Sequence, residues 1–164
     1  MPVLNRAAEM QEEVAGWRRH LHEHPEILYD VHETAKFVAD KLTSFGCDIV
    51  ETGIGRTGVV AIIKGRQRDG PTVGFRADMD ALPILETSGK QWASKTPGKA
   101  HSCGHDGHTA MLLGAAQYLA ETRNFKGSVA VIFQPAEEGG AGALAMIEDG
   151  FIEKHSISQV YGMH

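Results

Sequence analysis

A chain of 164 residues, 42% apolar and 23% charged, has the material for one domain with a real core. Its formal net charge of −5 argues against a nucleic-acid partner, because phosphate binding needs a basic face. Two cysteines, Cys47 and Cys103, make no disulfide framework, so a reducing compartment is the simpler expectation.

The opening stretch, residues 1–13, carries Glu9, Glu12 and Glu13 and no long apolar run. It reads as neither a signal peptide nor a membrane span, which leaves the cytoplasm as the expected location and excludes a membrane partner. Ala7, Met10, Val14, Trp17 and Leu21 recur at spacings of three and four, one face of an amphipathic helix. Pro25 stops it near His24. A second helix buries Ala35, Val38 and Leu42 and ends at Gly46. Residues 48–51, 58–63 and 72–76 are short, β-branched and apolar, and read as strands, with a turn over 66–71. Residues 78–104 read as a long loop, of a length that is usually either functional or disordered. A helix is expected from about Asp106, with Met111, Leu112, Ala115, Ala116, Leu119 and Ala120 on its buried stripe. The nearly all-apolar 128–133 reads as a strand covered on both faces. A short helix over 142–147 and a last strand from Gln159 complete the chain. Alternating helices and apolar strands predict an α/β domain: a central mixed, largely parallel sheet with helices on both faces.

In such a sheet, ligands bind beyond the carboxyl ends of the strands. Asp78 and Asp80 follow one strand, Glu137 and Glu138 another, and His164 the last. His101, Cys103, His105 and His108 lie around the start of a helix. Cys103 and His105 are two apart, so an extended backbone would point both to one side, and Gly104 and Gly107 would let the chain turn around an ion. Thiolate with imidazole suits zinc, or cobalt, nickel or manganese in an oxygen-rich shell. The bland alternative is a polar loop with solvated histidines. Adjacent side chains diverge, so one of Glu137 and Glu138 can ligate while the other handles a proton. Asp78 and Asp80 could bind metal or orient a bound histidine, though Asp is also common in turns after strands. Arg18, Arg19, His20, His22 and His24 crowd a helix C-terminus, where cations are favourable anyway, and are read as structural. Cys47 is read as a core residue.

Five stretches occur in one order along nearly the whole chain: WRRHLHEHPE at 17–26, FRADMDALPI at 75–84, HSCGHDGHT at 101–109, FQPAEEG at 133–139 and GMH at 162–164. Together they resemble the M20 family of metallopeptidases, in its branch of aminoacylase-like and hippurate hydrolase-like amidohydrolases. The resemblance implies a zinc-exopeptidase-like catalytic domain. It implies two divalent ions (manganese, zinc, cobalt or nickel) held by Cys103, His105, Glu138 and His164. It makes Glu137 the general base and acid, and Asp80 a carboxylate supporting a ligand. Where related peptidases carry His-x-Asp this chain has Asp78-Met79-Asp80, and the resemblance gives the lost ligand's place to Cys103. The implied reaction is attack of metal-activated water on the amide of an N-acyl amino acid, with no covalent acyl-enzyme. The family's catalytic domain continues further, is interrupted by a lid and dimerisation domain, and returns to supply another metal-binding histidine. Residues 1–164 are therefore expected to be its amino-terminal portion, without the lid and with an exposed sheet edge; a homo-oligomer is possible in the full-length protein, but the sequence does not fix the oligomeric state. Two other readings compete: a non-catalytic metal-binding fragment, and a hydrolase with Cys103 as nucleophile and His105 or His101 as base.

Overall fold

The computed structural model describes residues 5–164. Two helices, α1 (Asn5–Glu9) and α2 (Gln11–Glu23), stand where the sequence predicts one. The break falls at buried Met10, whose amide still bonds to the Arg6 carbonyl at 3.1 Å, so the chain bends without leaving helical space. Pro25 ends α2 as expected. Helix α3 (His32–Ser44) buries Ala35, Val38 and Leu42, and Gly46 beyond it takes φ +76°.

Five strands follow: β1 (Ile49–Ile54), β2 (Gly58–Lys64), β3 (Gln67–Asp78), β4 (Lys126–Gln134) and β5 (Ile157–Gly162). They form one mixed sheet in the order β1-β2-β4-β3-β5. β1–β2 and β2–β4 are antiparallel, while β3 runs parallel to both β4 and β5. The expected turn over 66–71 is instead the irregular start of β3. Gln67 pairs with Lys126, and pairing resumes only at Thr72↔Ser128. Pro71, with no N–H to give a ladder, falls in the interruption.

Each face of the sheet has its own core. On one, Val59, Ala61, Ile63, Val129, Val131 and Phe133 pack with Val38 and Leu42 of α3 and with Leu113 and Ala116 of α4 (His105–Thr122). On the other, Val60, Ile62, Ala130 and Ile132 meet Met146 of α5 (Gly142–Glu148) and Phe151 of α6 (Phe151–Lys154). α6 is not anticipated by the sequence reading; Gly150 at φ +77° separates it from α5. Helix α4 thus connects β3 to β4 across one face, and α5 with α6 connects β4 back past β3 to β5 across the other. The carboxyl ends of β3, β4 and β5 meet at this reversal, where open α/β sheets bind ligands. β5 pairs only with β3 among the described residues, and Val160 and Tyr161 are exposed along it. No described helix is long and apolar enough to cross a membrane.

Candidate metal centre

Three parallel strands deliver side chains to one place. β3 ends at Asp78, and Met79 adds one more bond to the Gln134 carbonyl (2.9 Å) before Asp80. After β4, Pro135 and the left-handed Ala136 (φ +51°) swing Glu137 and Glu138 across the sheet end. Ala136 is buried, and its amide is held by the Leu28 carbonyl at 3.1 Å. Gly142 closes this turn so tightly that a Cβ there would lie 1.7 Å from the Pro135 oxygen. His164 follows β5.

The fourth contribution comes from the start of α4, where geometry departs from expectation. Cys103 and His105 do not lie on an extended strand. Gly104 takes φ +92° as the N-cap, and His105 opens the helix. The two side chains converge because the backbone turns at Gly104, a conformation that disfavours other residues. Gly107 lies inside the helix and makes no turn.

The potential ligand atoms of Cys103, His105 and His164 lie within 4.8 Å of one another, as do those of Asp78, His105, Glu137 and His164. His105 Nε2 is 3.6 Å from Asp78 Oδ2, 3.8 Å from Glu137 Oε2 and 3.8 Å from Glu138 Oε1. His164 Nε2 is also 3.8 Å from Glu137 Oε2. These separations are too long for hydrogen bonds, but they suit atoms that each reach a shared ion at about 2 Å. His105 Nε2 and Glu138 Oε1 are buried and have no hydrogen-bond partner. Buried polar atoms are rarely left so. The donor set therefore fits a divalent cation.

Asp80 lies behind this group, 1% exposed. Its Oδ1 accepts the Glu137 amide (3.0 Å) and its Oδ2 the Glu138 amide (3.2 Å). Its backbone carbonyl accepts His105 Nδ1–H at 2.7 Å, which leaves Nε2 directed at the cluster. Burial opposes the Asp80 charge, but the His105 ring beside it and the hydrogen bonds from these two amides outweigh it and hold the carboxyl below the usual range. For His105, burial pulls the imidazole down; the nearby Asp80 and Asp78 carboxylates more than offset it, and the net direction is up.

Asp78 has more to do than the sequence reading gave it. Its fully buried carboxylate accepts Arg76 Nη1 (2.7 Å) on Oδ2 and His108 Nδ1 (2.7 Å) on Oδ1. Arg76 Nε in turn bonds to Gln134 Oε1 at 2.7 Å. The signal was available: Arg76 and Asp78 are two apart on a strand and so share a face. Cys103 is an exposed thiol, pushed up by partial desolvation and by the neighbouring Glu138, Glu137 and Asp78 carboxylates.

His101 is buried 6% exposed, outside these groupings, with both ring nitrogens unpartnered; burial pushes it down to about 4. Arg18 and His22, read as structural, both bind buried Asp106. Cys47 is half-buried against the core.

Residues 74–164 match the model of peptidase family M20/M25/M40. The chain is 47% identical over 164 residues to a hippurate hydrolase of Campylobacter jejuni, covering all of this chain and 42% of that protein. It is 44% identical over 158 residues to an N-acyl-L-amino acid amidohydrolase of Geobacillus stearothermophilus, covering 95% of this chain and 42% of that one. A Bacillus subtilis dinuclear metal-binding peptidase of the M20 family superposes with a TM-score of 0.89 at 42% identity, over 96% of this chain and 44% of that chain. The chain thus spans about two fifths of the length of the curated relatives it matches. With more than half of its residues inside the family model and its fold superposing on that of a solved member, the chain belongs to peptidase family M20/M25/M40.

Proposed function

We propose that this chain carries the metal site and the general base of an amidohydrolase that cleaves N-acyl amino acids, hippurate-like amides among them. The observation that carries the reading is the pair of unpartnered buried atoms, His105 Nε2 and Glu138 Oε1, facing each other across 3.8 Å beside Cys103, Glu137 and His164. Cys103, His105, Glu138 and His164 would hold the metal, two divalent ions of the manganese, zinc, cobalt or nickel kind. Such ions polarise a carbonyl and make water acidic near neutral pH. Glu137, partly exposed at the rim, takes the proton from the attacking water and passes it to the leaving amine. Asp80 holds the amides of both glutamates and the His105 ring in register. The substrate class is supported by the names of the relatives, which act on hippurate and on N-acyl amino acids.

Residues 1–164 are read as part of a longer catalytic domain, supported by the share of each relative that the chain covers. A cytoplasmic setting is supported by two free cysteines.

The test is release of glycine from N-benzoylglycine, alongside a series of N-acetyl amino acids, with added manganese, zinc or cobalt and with chelator. Release that requires the ion supports the proposal. Release that persists in chelator contradicts it and favours Cys103 as nucleophile.

A further inference from the structure

The turn that brings Cys103 and His105 together has little local support. Its N-cap is Gly104, which offers no side chain to cap α4. What fixes the turn lies on its far side. Asp106, immediately after His105, has a fully buried carboxylate in the first turn of α4, where negative charge is favoured. Its Oδ2 accepts Arg18 Nε at 2.7 Å and His22 Nδ1 at 2.7 Å, two residues one turn apart on α2. The other nitrogen of His22 lies 3.3 Å from Glu86 Oε1. Glu86 belongs to the long loop that runs from Asp80 to Cys103, and its second oxygen accepts the Ser94 amide at 2.7 Å. His22 therefore joins the segment entering the turn to the helix leaving it.

We propose that His22 and Arg18 are positioning residues of the metal centre, which hold the Cys103–His105 turn by fixing the Asp106 carboxylate. The proposal rests on the metal-site reading above. Neither residue touches the ion or the substrate. They set the backbone beneath His105, while the Asp80 carbonyl sets its ring. A carboxylate this buried keeps one geometry only while its donors remain, and a ligand displaced by a fraction of an ångström loses its bond length and angle to an ion.

The experiment titrates Co²⁺ into the metal-free chain and into His22→Leu, His22→Asn and Arg18→Leu, reading affinity and the visible d–d absorption. Thermal melts of the metal-free forms run alongside, so that binding is compared only where each is folded. His22→Leu is expected to weaken Co²⁺ binding by roughly ten- to a hundred-fold, the range typical for outer partners of metal ligands, and to shift the absorption bands. His22→Asn keeps a side-chain N–H that can donate to Asp106 and recovers most of the affinity. Arg18→Leu gives a smaller loss in the same direction. His24→Ala, at the residue just after the same helix and bonded to the His20 carbonyl, leaves both readouts unchanged. Unchanged affinity and spectrum in His22→Leu overturn the proposal and leave the metal site standing. Should His22→Leu not fold, unchanged readouts in Arg18→Leu overturn it equally. Failure of the unsubstituted chain to bind Co²⁺ overturns the metal-site reading and this proposal with it.

Discussion

The Asp80 carboxylate reaches Glu137 through the backbone: its Oδ1 accepts the Glu137 amide at 3.0 Å while its Oδ2 accepts that of Glu138 at 3.2 Å. One buried side chain thereby sets where both glutamate carboxylates begin. Asp80→Asn keeps one acceptor oxygen but turns an NH₂ toward the second amide, donor against donor. We expect a stability cost of about 1–3 kcal/mol, the usual penalty for an unsatisfied buried group, together with weakened metal binding. Urea unfolding of the metal-free chain and cobalt titration measure the two effects. A variant with unchanged stability and metal affinity contradicts the role.

Gly142 closes the turn that presents those glutamates. A methyl group there meets the Pro135 carbonyl at 1.7 Å, a backbone atom that cannot step aside. Gly142→Ala is expected to cost about 3 kcal/mol, at the upper end of overpacking effects. Gly139→Ala provides the contrast. It meets nothing within 4 Å, but its φ of +90° still carries a backbone penalty, which we expect at about 1 kcal/mol. Thermal denaturation of the two variants should rank them in that order.

His101 gives the metal-free chain a pH dependence of known sign. Burial holds its imidazole down at about 4, below the 6.5 of a free histidine. Between these values the unfolded chain binds a proton that the folded chain refuses. The contribution is complete above pH 6.5 and is lost as pH falls toward 4, on the order of 3 kcal/mol in all. His105 shifts upward, so its contribution has the opposite sign, present below 6.5 and lost as pH rises. Comparing the chain with His101→Gln in chelator isolates the first effect. The urea midpoint of the unsubstituted chain should fall more steeply from pH 6.5 to 4.5 than that of the variant. Parallel curves contradict it.

Much of this was legible in the sequence. The near-continuous apolar run in β4 identified a strand covered on both faces, and it lies at the sheet centre between β2 and β3. Carboxylates and imidazoles placed just after separate strands pointed to one cluster, because parallel strands bring their carboxyl ends together, and the structure does gather them there. The misses have local causes. The break at Met10 leaves the apolar spacing intact, so periodicity does not register it. The early start of β3 hides behind Gly70 and Pro71, which read as a turn but occupy an interruption in a ladder. The Cys103–His105 spacing fits an extended strand as well as a glycine turn, and only tertiary packing decides. Arg18 and His22 looked like charges satisfying a helix end; their partner Asp106 is more than eighty positions away.

The central claim is that Glu137 moves the proton while other residues hold the ion, and it is tested most directly with Glu137→Gln. Metal content and glycine release from N-benzoylglycine are measured together, for the unsubstituted chain and for the variant. The account predicts that the variant keeps its metal and its fold and loses at least about a hundred-fold in turnover, the scale of a general acid–base contribution. Turnover that survives in the variant at equal metal content, or an unsubstituted chain that binds no divalent ion, would contradict it.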